Sequence, residues 1–407
     1  MTQAPAIAAV DLTNPHTFVD SDLTEFWRHL RAETPVYRHP ETERGPAFWV
    51  LSKHADFLAV CRDTKRFSSE RGNVLDTLLL GADTAGGKML VVSDPPHHAK
   101  LRKLLLKTFT PRALQVIVDR LRVVTDELVA EAVAKGECDI AADVAAHVPL
   151  ATICDLLDVP RQDRAEILRL TKSTISSENP DHTAMDGWMA KNDLLLYFAD
   201  LAEQRRDTPH ADVVSLLATA EVDGAPLPSN EVVLNCYNLI LGGDETTRLA
   251  MVGAVQAFLD HPAQWERLRR GEVELDTAVE EILRWTSPAM HFGRTAKQDL
   301  ELNGQPIKAG EIVTVWSVSA NRDEEIFDAP DVFDLGRTPN NHVTFGYGPH
   351  FCIGAYLARV EVKALLEGLL AHVGAIDPRG PSRRIYSTCL VGLSSLPVTL
   401  RQTAAHG

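Results

Sequence analysis

The chain has 407 residues, 45% of them apolar, and a formal net charge of −15, which allows a large buried core and argues against nucleic acid or an anionic membrane surface as a partner. No stretch approaches the ~20 apolar residues that a spanning helix needs, and residues 1–10 lack the basic start of a secretory signal, so a cytoplasmic protein with no membrane partner is expected. Its six cysteines, Cys61, Cys138, Cys154, Cys236, Cys352 and Cys389, form no C-x-x-C pair and match no zinc spacing, which suits free thiols in a reducing compartment.

Residues 21–33 read as an amphipathic helix stopped before Pro35. Residues 36–39 and 48–51 read as two strands about a polar turn, and Ser52 is placed to cap a helix over 53–61. Residues 71–87 contain Gly and Asp without a clear period and read as a loop. Asp94-Pro95-Pro96-His97-His98 opens a basic helix running to about residue 108, in which His98 and Arg102 share a face at i, i+4. Taken alone, that pair is an ordinary solvated basic turn. Thr110 and Pro111 then make a capped start for a helix to Gly136. Residues 141–157, 161–177, 185–205 and 213–220 are further helical patterns without recognisable chemistry.

Residues 229–260, bounded by Pro228 and Pro262, form the longest helical pattern, spanning roughly 45 Å at ~1.5 Å per residue. Its middle reads Leu241-Gly242-Gly243-Asp244-Glu245-Thr246-Thr247. Each glycine costs ~1 kcal/mol against alanine, which points to a tight helix crossing or to close approach by a ligand. Residues 279–285 belong to a helix with Glu281 and Arg284 at i, i+3, a spacing too common to mean anything alone. Residues 292–315 have strand character, with turns at Asn303-Gly304 and Ala309-Gly310, and 321–342 are irregular. Residues 353–370 are helical, with Leu357, Val360, Leu365 and Leu369 along them, and 385–400 alternate enough for one or two strands.

Just ahead of that last helix stands Phe345-Gly346-Tyr347-Gly348-Pro349-His350-Phe351-Cys352-Ile353-Gly354, a glycine-rich loop that delivers one cysteine to a helix start. Gly346 and Gly348 let the backbone bend where a Cβ would forbid it, and Gly354 leaves room for a large partner. Unpaired N–H groups and the positive end of the helix dipole favour a thiolate at Cys352, which suits an iron ligand.

The loop, with Leu357-Ala358-Arg359 after it, resembles the haem loop of the cytochrome P450 family. The resemblance implies a mainly α fold with a smaller β region at roughly 35–52, 292–316 and 385–400, in one domain over 1–407. A long central helix and a proximal helix would sandwich haem b, iron protoporphyrin IX, with Cys352 as thiolate ligand whose electron donation favours O–O cleavage. Phe345 and Gly354 belong to that cofactor loop. The segment His98 to Arg102, with Phe109-Thr110-Pro111 beyond it, resembles the family's propionate-binding helix, and Arg294 and His350 join it. Gly242 to Thr246 resembles the oxygen-binding groove, with Glu245 as the acid and Thr246 as the alcohol of a proton relay. Thr246 could equally only back-bond to the Gly242 carbonyl and bend the helix. Leu239, Gly242, Gly243, Ala289 and Met290 would face the substrate, with 71–87 as a variable loop above it. Glu281, Arg284 and Arg337 resemble a structural trio behind the haem loop. His291 is given no role, a buried or surface histidine being the expectation.

The resemblance thus implies a haem-thiolate monooxygenase that hydroxylates or epoxidises a small apolar organic molecule with O2, in secondary metabolism. No flavin or iron–sulfur motif is present, so electrons come from a separate ferredoxin and ferredoxin reductase, docking at a basic cluster of Arg102, Lys103, Lys107 and Arg112 on a monomer. The alternatives are peroxide-driven oxygenation, oxidative coupling or desaturation on the same scaffold, and a non-catalytic haem sensor.

Overall fold

The 32-residue helix Ser229–Asp260 is buried along its length, from Val232 to Phe258, and the rest of the chain is arranged around it. In the computed structural model, which describes residues 10–175 and 183–402, it packs against the helices His147–Leu156, Arg164–Ile175, Ala184–Asp207, Leu275–Thr286 and Ala355–His372. Two apolar clusters meet on it. One joins it to Pro111–Lys135 and to Ala355–His372, the helix behind Cys352. The other joins it to Arg164–Ile175 and Ala184–Asp207. Residues 1–9 and the last two residues of the helix expected over 161–177 lie outside the described residues.

Most elements form for reasons local to their own sequence. Thr110 accepts from the Ala113 N–H and Pro111 opens its helix, which Gly136 closes at φ 76°. Thr183 and Asp186 form a reciprocal capping box at the head of Ala184–Asp207. Asn303 and Gly304, at φ 47° and 77°, make the tight turn of a hairpin between Leu300–Leu302 and Gln305–Ile307.

The main sheet has five strands in the order Val36–His39, Phe48–Leu51, Ile312–Trp316, His291–Ala296 and Phe67–Ser68. The last strands do not join it. Pro397–Gln402 pairs with Val373–Pro378 and Glu137–Asp139, and Leu393–Ser395 pairs with Arg383–Arg384. Two local expectations are corrected. Ser52 does not cap the helix His54–Arg62; its hydroxyl donates to the Pro35 carbonyl, while Asp323 accepts from the His54 N–H at 2.8 Å. The stretch 71–87 contains the short helix Leu75–Leu79, held by burial of Leu75 and Leu78 and by His291 Nε2, which accepts from the Leu75 N–H at 2.9 Å. A helix at Pro262–Arg269 comes directly after the central one.

Candidate active site

The cysteine loop is shaped by its glycines. Gly346 and Gly348 sit at φ 71° and 70°, and a Cβ on Gly348 would lie 2.8 Å from the Cys61 carbonyl, so the loop can lie flat on the helix His54–Arg62 only there. The Cys352 N–H donates to the Phe345 carbonyl at 2.8 Å and closes the loop. The next helix begins at Ala355 with Gly354 as its cap, so Cys352 stands ahead of the helix, and it is the Gly354 N–H that reaches the sulfur. Burial pushes the Cys352 thiol up, outweighing the Gly354 N–H and the charges of Arg102 and Arg359. A cation bound at the sulfur would oppose that shift and favour the thiolate.

Cys352 opens on a cavity between the loop and the central helix. Its lining brings together Leu239, Gly242, Gly243 and Thr246 from the central helix with Phe345, His350 and Gly354 from the loop, and with His98, Arg102, Ala289 and Arg294. Of the cofactor and substrate residues expected from sequence, Met290 is the one the lining omits. It is 1% exposed and packs in the core with Phe18, Trp27 and Trp316. In extended chain, neighbours alternate sides, so Ala289 faces the cavity and Met290 faces away. His291 is likewise buried, against Trp316 at 4.6 Å, with burial lowering its pKa to about 3. It is a neutral structural acceptor for Leu75.

Beside the sulfur lies a concentration of basic groups with little opposing charge. The rings of His98 and His350 are 4.1 Å apart. His98 is lowered to about 4 by burial and by Arg102 and Arg294, which Asp94 only partly opposes. His350 is lowered to about 2 by burial, Arg294, His98 and Arg102. His98 Nε2 is buried without a hydrogen-bond partner among the described residues. Arg294 is 5% exposed, and the hydrogen bond its guanidinium makes among the described residues is to the Gly293 carbonyl at 2.7 Å. Burial also lowers Arg102. Four such groups turned into one cavity fit a dianionic ligand, and a dicarboxylate fits both the charge and the donor geometry of arginine.

On the opposite wall the two glycines divide the roles weighed from sequence. A Cβ on Gly243 would lie 2.9 Å from Ile153, so this glycine permits a close helix crossing, whereas a Cβ on Gly242 would meet nothing within 4 Å. Gly242 thus leaves the space open. Thr246 lines the cavity, and its hydroxyl donates to the Gly242 carbonyl at 3.2 Å. Glu245 does not line it. It is 2% exposed and forms a two-pronged pair with Arg248, one turn on, through contacts that include Nε to Oε2 at 2.9 Å. The neighbouring Asp244 accepts from Thr171 at 2.9 Å, and burial and the Glu245 charge raise it to about 7.

Sequence reasoning missed Glu361, Thr247 and Asn238, all on the lining. Glu361 comes two residues after Arg359 and is raised by burial to about 8, with Thr152 and Thr247 hydroxyls bonding to it. Helical spacing from Gly242 could have found Asn238. Behind the loop, Arg284 holds Glu281 at 2.7 and 2.8 Å and donates to the carbonyls of Asn321 and Pro330 at 2.8 and 2.9 Å. Arg337 adds a contact to Glu281 at 3.2 Å. The trio ties the irregular stretch before the cysteine loop to the helix Leu275–Thr286.

A family model described as Cytochrome P450 matches residues 188–373. The chain is 47% identical over 391 residues to cytochrome P450 NovI of Streptomyces niveus, covering 96% of each. It is 33% identical over 400 residues to linalool 8-monooxygenase of Pseudomonas putida, covering 96% of this chain and 98% of that one. Among solved structures it is similar to P450 OxyD, involved in the biosynthesis of vancomycin-type antibiotics, at TM-score 0.88 and 36% identity over 97% of this chain and 100% of that one.

Proposed function

The chain belongs to the cytochrome P450 family of monooxygenases, and on that footing we propose that it oxidises a small, largely apolar molecule in secondary metabolism, with haem b held by Cys352. The family implies a haem with a cysteine thiolate ligand. When bound, the haem supplies reductive activation of O2, one atom going to substrate and the other to water. The observation that carries the proposal is the meeting, in one cavity, of Cys352, the four basic groups and the open helix face at Gly242. His98, Arg102, Arg294 and His350 would hold the propionates; Phe345 and Gly354 would shape the thiolate side. Thr246 would place a hydroxyl and an ordered water where protons are needed. Glu245, turned off the lining, would serve that relay only by leaving Arg248. The likeness to OxyD, a protein of antibiotic biosynthesis, supports secondary metabolism as the setting.

The electron partner proposed is a separate ferredoxin with its reductase, meeting a monomeric, single-domain, cytoplasmic protein. Among the described residues no helix is long and apolar enough to cross a membrane. Lys103, Lys107 and Arg112 are exposed on and just after the helix that carries Arg102, as are Leu106 beside them and Tyr347, Phe351 and Tyr356 around the cysteine loop. Arg102 is withdrawn from that cluster, since it lines the cavity. The test is turnover under 18O2 with ferredoxin, reductase and a compound that shifts the haem spin state in a spectral titration. One labelled oxygen atom in the product is expected. Product formed with hydrogen peroxide but not with O2 and reductant would transfer the chain to the peroxide-driven reading, and the absence of any turnover of reductant with O2 to the sensor reading.

A further inference from the structure

Two asparagines lie three residues apart on the central helix, and the structure uses them differently. Asn235 is fully buried: its Oδ1 accepts from the Leu90 N–H at 2.9 Å, and its Nδ2 donates to the carbonyls of Lys88 and Glu231 at 3.0 and 2.8 Å. It pins the segment at residues 88–90 to the helix. Asn238 is half-buried, lines the cavity, and makes no side-chain hydrogen bond among the described residues.

We propose that Asn238 reads a neutral hydrogen-bonding group on the substrate, so that the natural substrate is an apolar molecule carrying a hydroxyl or an amide. The proposal rests on reading this cavity as the substrate site. Asn238, Gly242 and Thr246 recur at i, i+4 and i+8, one stripe of the helix facing the same space. Thr246 already spends its hydroxyl on the Gly242 carbonyl. The same lining carries the apolar Leu90, Val91 and Leu239, with Asn73 as a second neutral amide. An amide offers both a donor and an acceptor and carries no charge, so it complements a hydroxyl or an amide better than a carboxylate or an ammonium. Binding a purely apolar ligand strips water from that amide without replacing its hydrogen bonds, which is how a pocket of this kind discriminates.

The test uses the haem-loaded protein and a matched pair of probes, 4-pentylphenol and pentylbenzene, with affinities measured by calorimetry. Wild type is expected to bind the phenol about tenfold more tightly. Asn238→Leu, which keeps size and removes no hydrogen bond within the protein, should abolish that preference, tighten pentylbenzene and leave the thermal midpoint unchanged. Asn238→Gln should retain part of the preference. Equal affinities in wild type, an undiminished preference in Asn238→Leu, or a large fall in its midpoint would each overturn the assignment while leaving the cavity as substrate site. Binding of neither probe by wild type would overturn the reading of the cavity, and this proposal with it.

Discussion

Glu361 and Glu280 show at single residues how one fold moves carboxyl groups in opposite directions. Glu361 is raised by burial from 4.5 to about 8. Between those values the folded state holds a proton that the unfolded chain releases, so this group makes stability fall as pH rises from about 4.5 through 8. Glu361→Gln is therefore expected to raise the thermal midpoint more at pH 9 than at pH 5, and an equal change at both would refute the raised pKa. Glu280 is partly desolvated, but hydrogen bonds from Arg359 and His342 prevail and lower it from 4.5 to about 2. Its contribution is present above 4.5 and lost as pH falls toward 2, so Glu280→Gln should hurt stability at pH 7 and cost little at pH 2. The Thr246 hydroxyl, bonded to the Gly242 carbonyl, is compatible with both a relay and a helix-bending role, and product accounting separates them. Thr246→Ala should still consume reductant and O2 but release hydrogen peroxide in place of product; full coupling would make the threonine structural.

Within the central helix, Gly242 and Gly243 look equivalent in sequence, yet only Gly243 is pressed against a neighbour. Gly243→Ala should cost ~1–3 kcal/mol through the clash with Ile153, whereas Gly242→Ala should gain up to ~1 kcal/mol of helix propensity while narrowing the cavity. Urea unfolding of the two variants measures both. Arg284, fully buried with Glu281, should cost ~3–5 kcal/mol when replaced by alanine, because Glu281 would be left as a poorly compensated buried charge. Elements were legible where their signals were local, as at Thr110-Pro111 and Asn303-Gly304. Where a distant side chain supplies the cap, less was legible: the helix at His54 was, but not its partner Asp323, and the helix at Leu75, whose N–H is bonded by His291, was not, since hundreds of residues separate each pair and no window of sequence connects them.

At the scale of the whole molecule, the residues proposed to hold the cofactor were legible as a group because they sit in spaced motifs and meet in one cavity: Cys352 and His350 in the loop, His98 and Arg102 on one helix face, Arg294 on a strand. The proposed substrate side was less so. Met290 lies on the other side of an extended chain, Asn238 follows from helical spacing to Gly242, and Glu361 reaches the cavity through packing that composition does not encode. Charge is distributed unevenly over the surface as well. The chain carries −15 overall, but Lys103, Lys107 and Arg112 stand exposed on and just after the helix that carries Arg102 to the cavity. Reduction by an acidic ferredoxin should slow as salt rises and slow further in Lys107→Glu, since exposed charge pairs are screened over ~10 Å at 0.1 M. A salt-independent rate would remove the electrostatic part of the docking. Everything else depends on the identity of the axial ligand. The most direct measurement is the absorption spectrum of the reduced carbon monoxide complex in wild type and in Cys352→Ala. The strongly red-shifted Soret band of thiolate-ligated haem should appear in wild type and vanish in the variant. Its absence from haem-loaded wild type, or its survival in Cys352→Ala, would contradict Cys352 as the ligand.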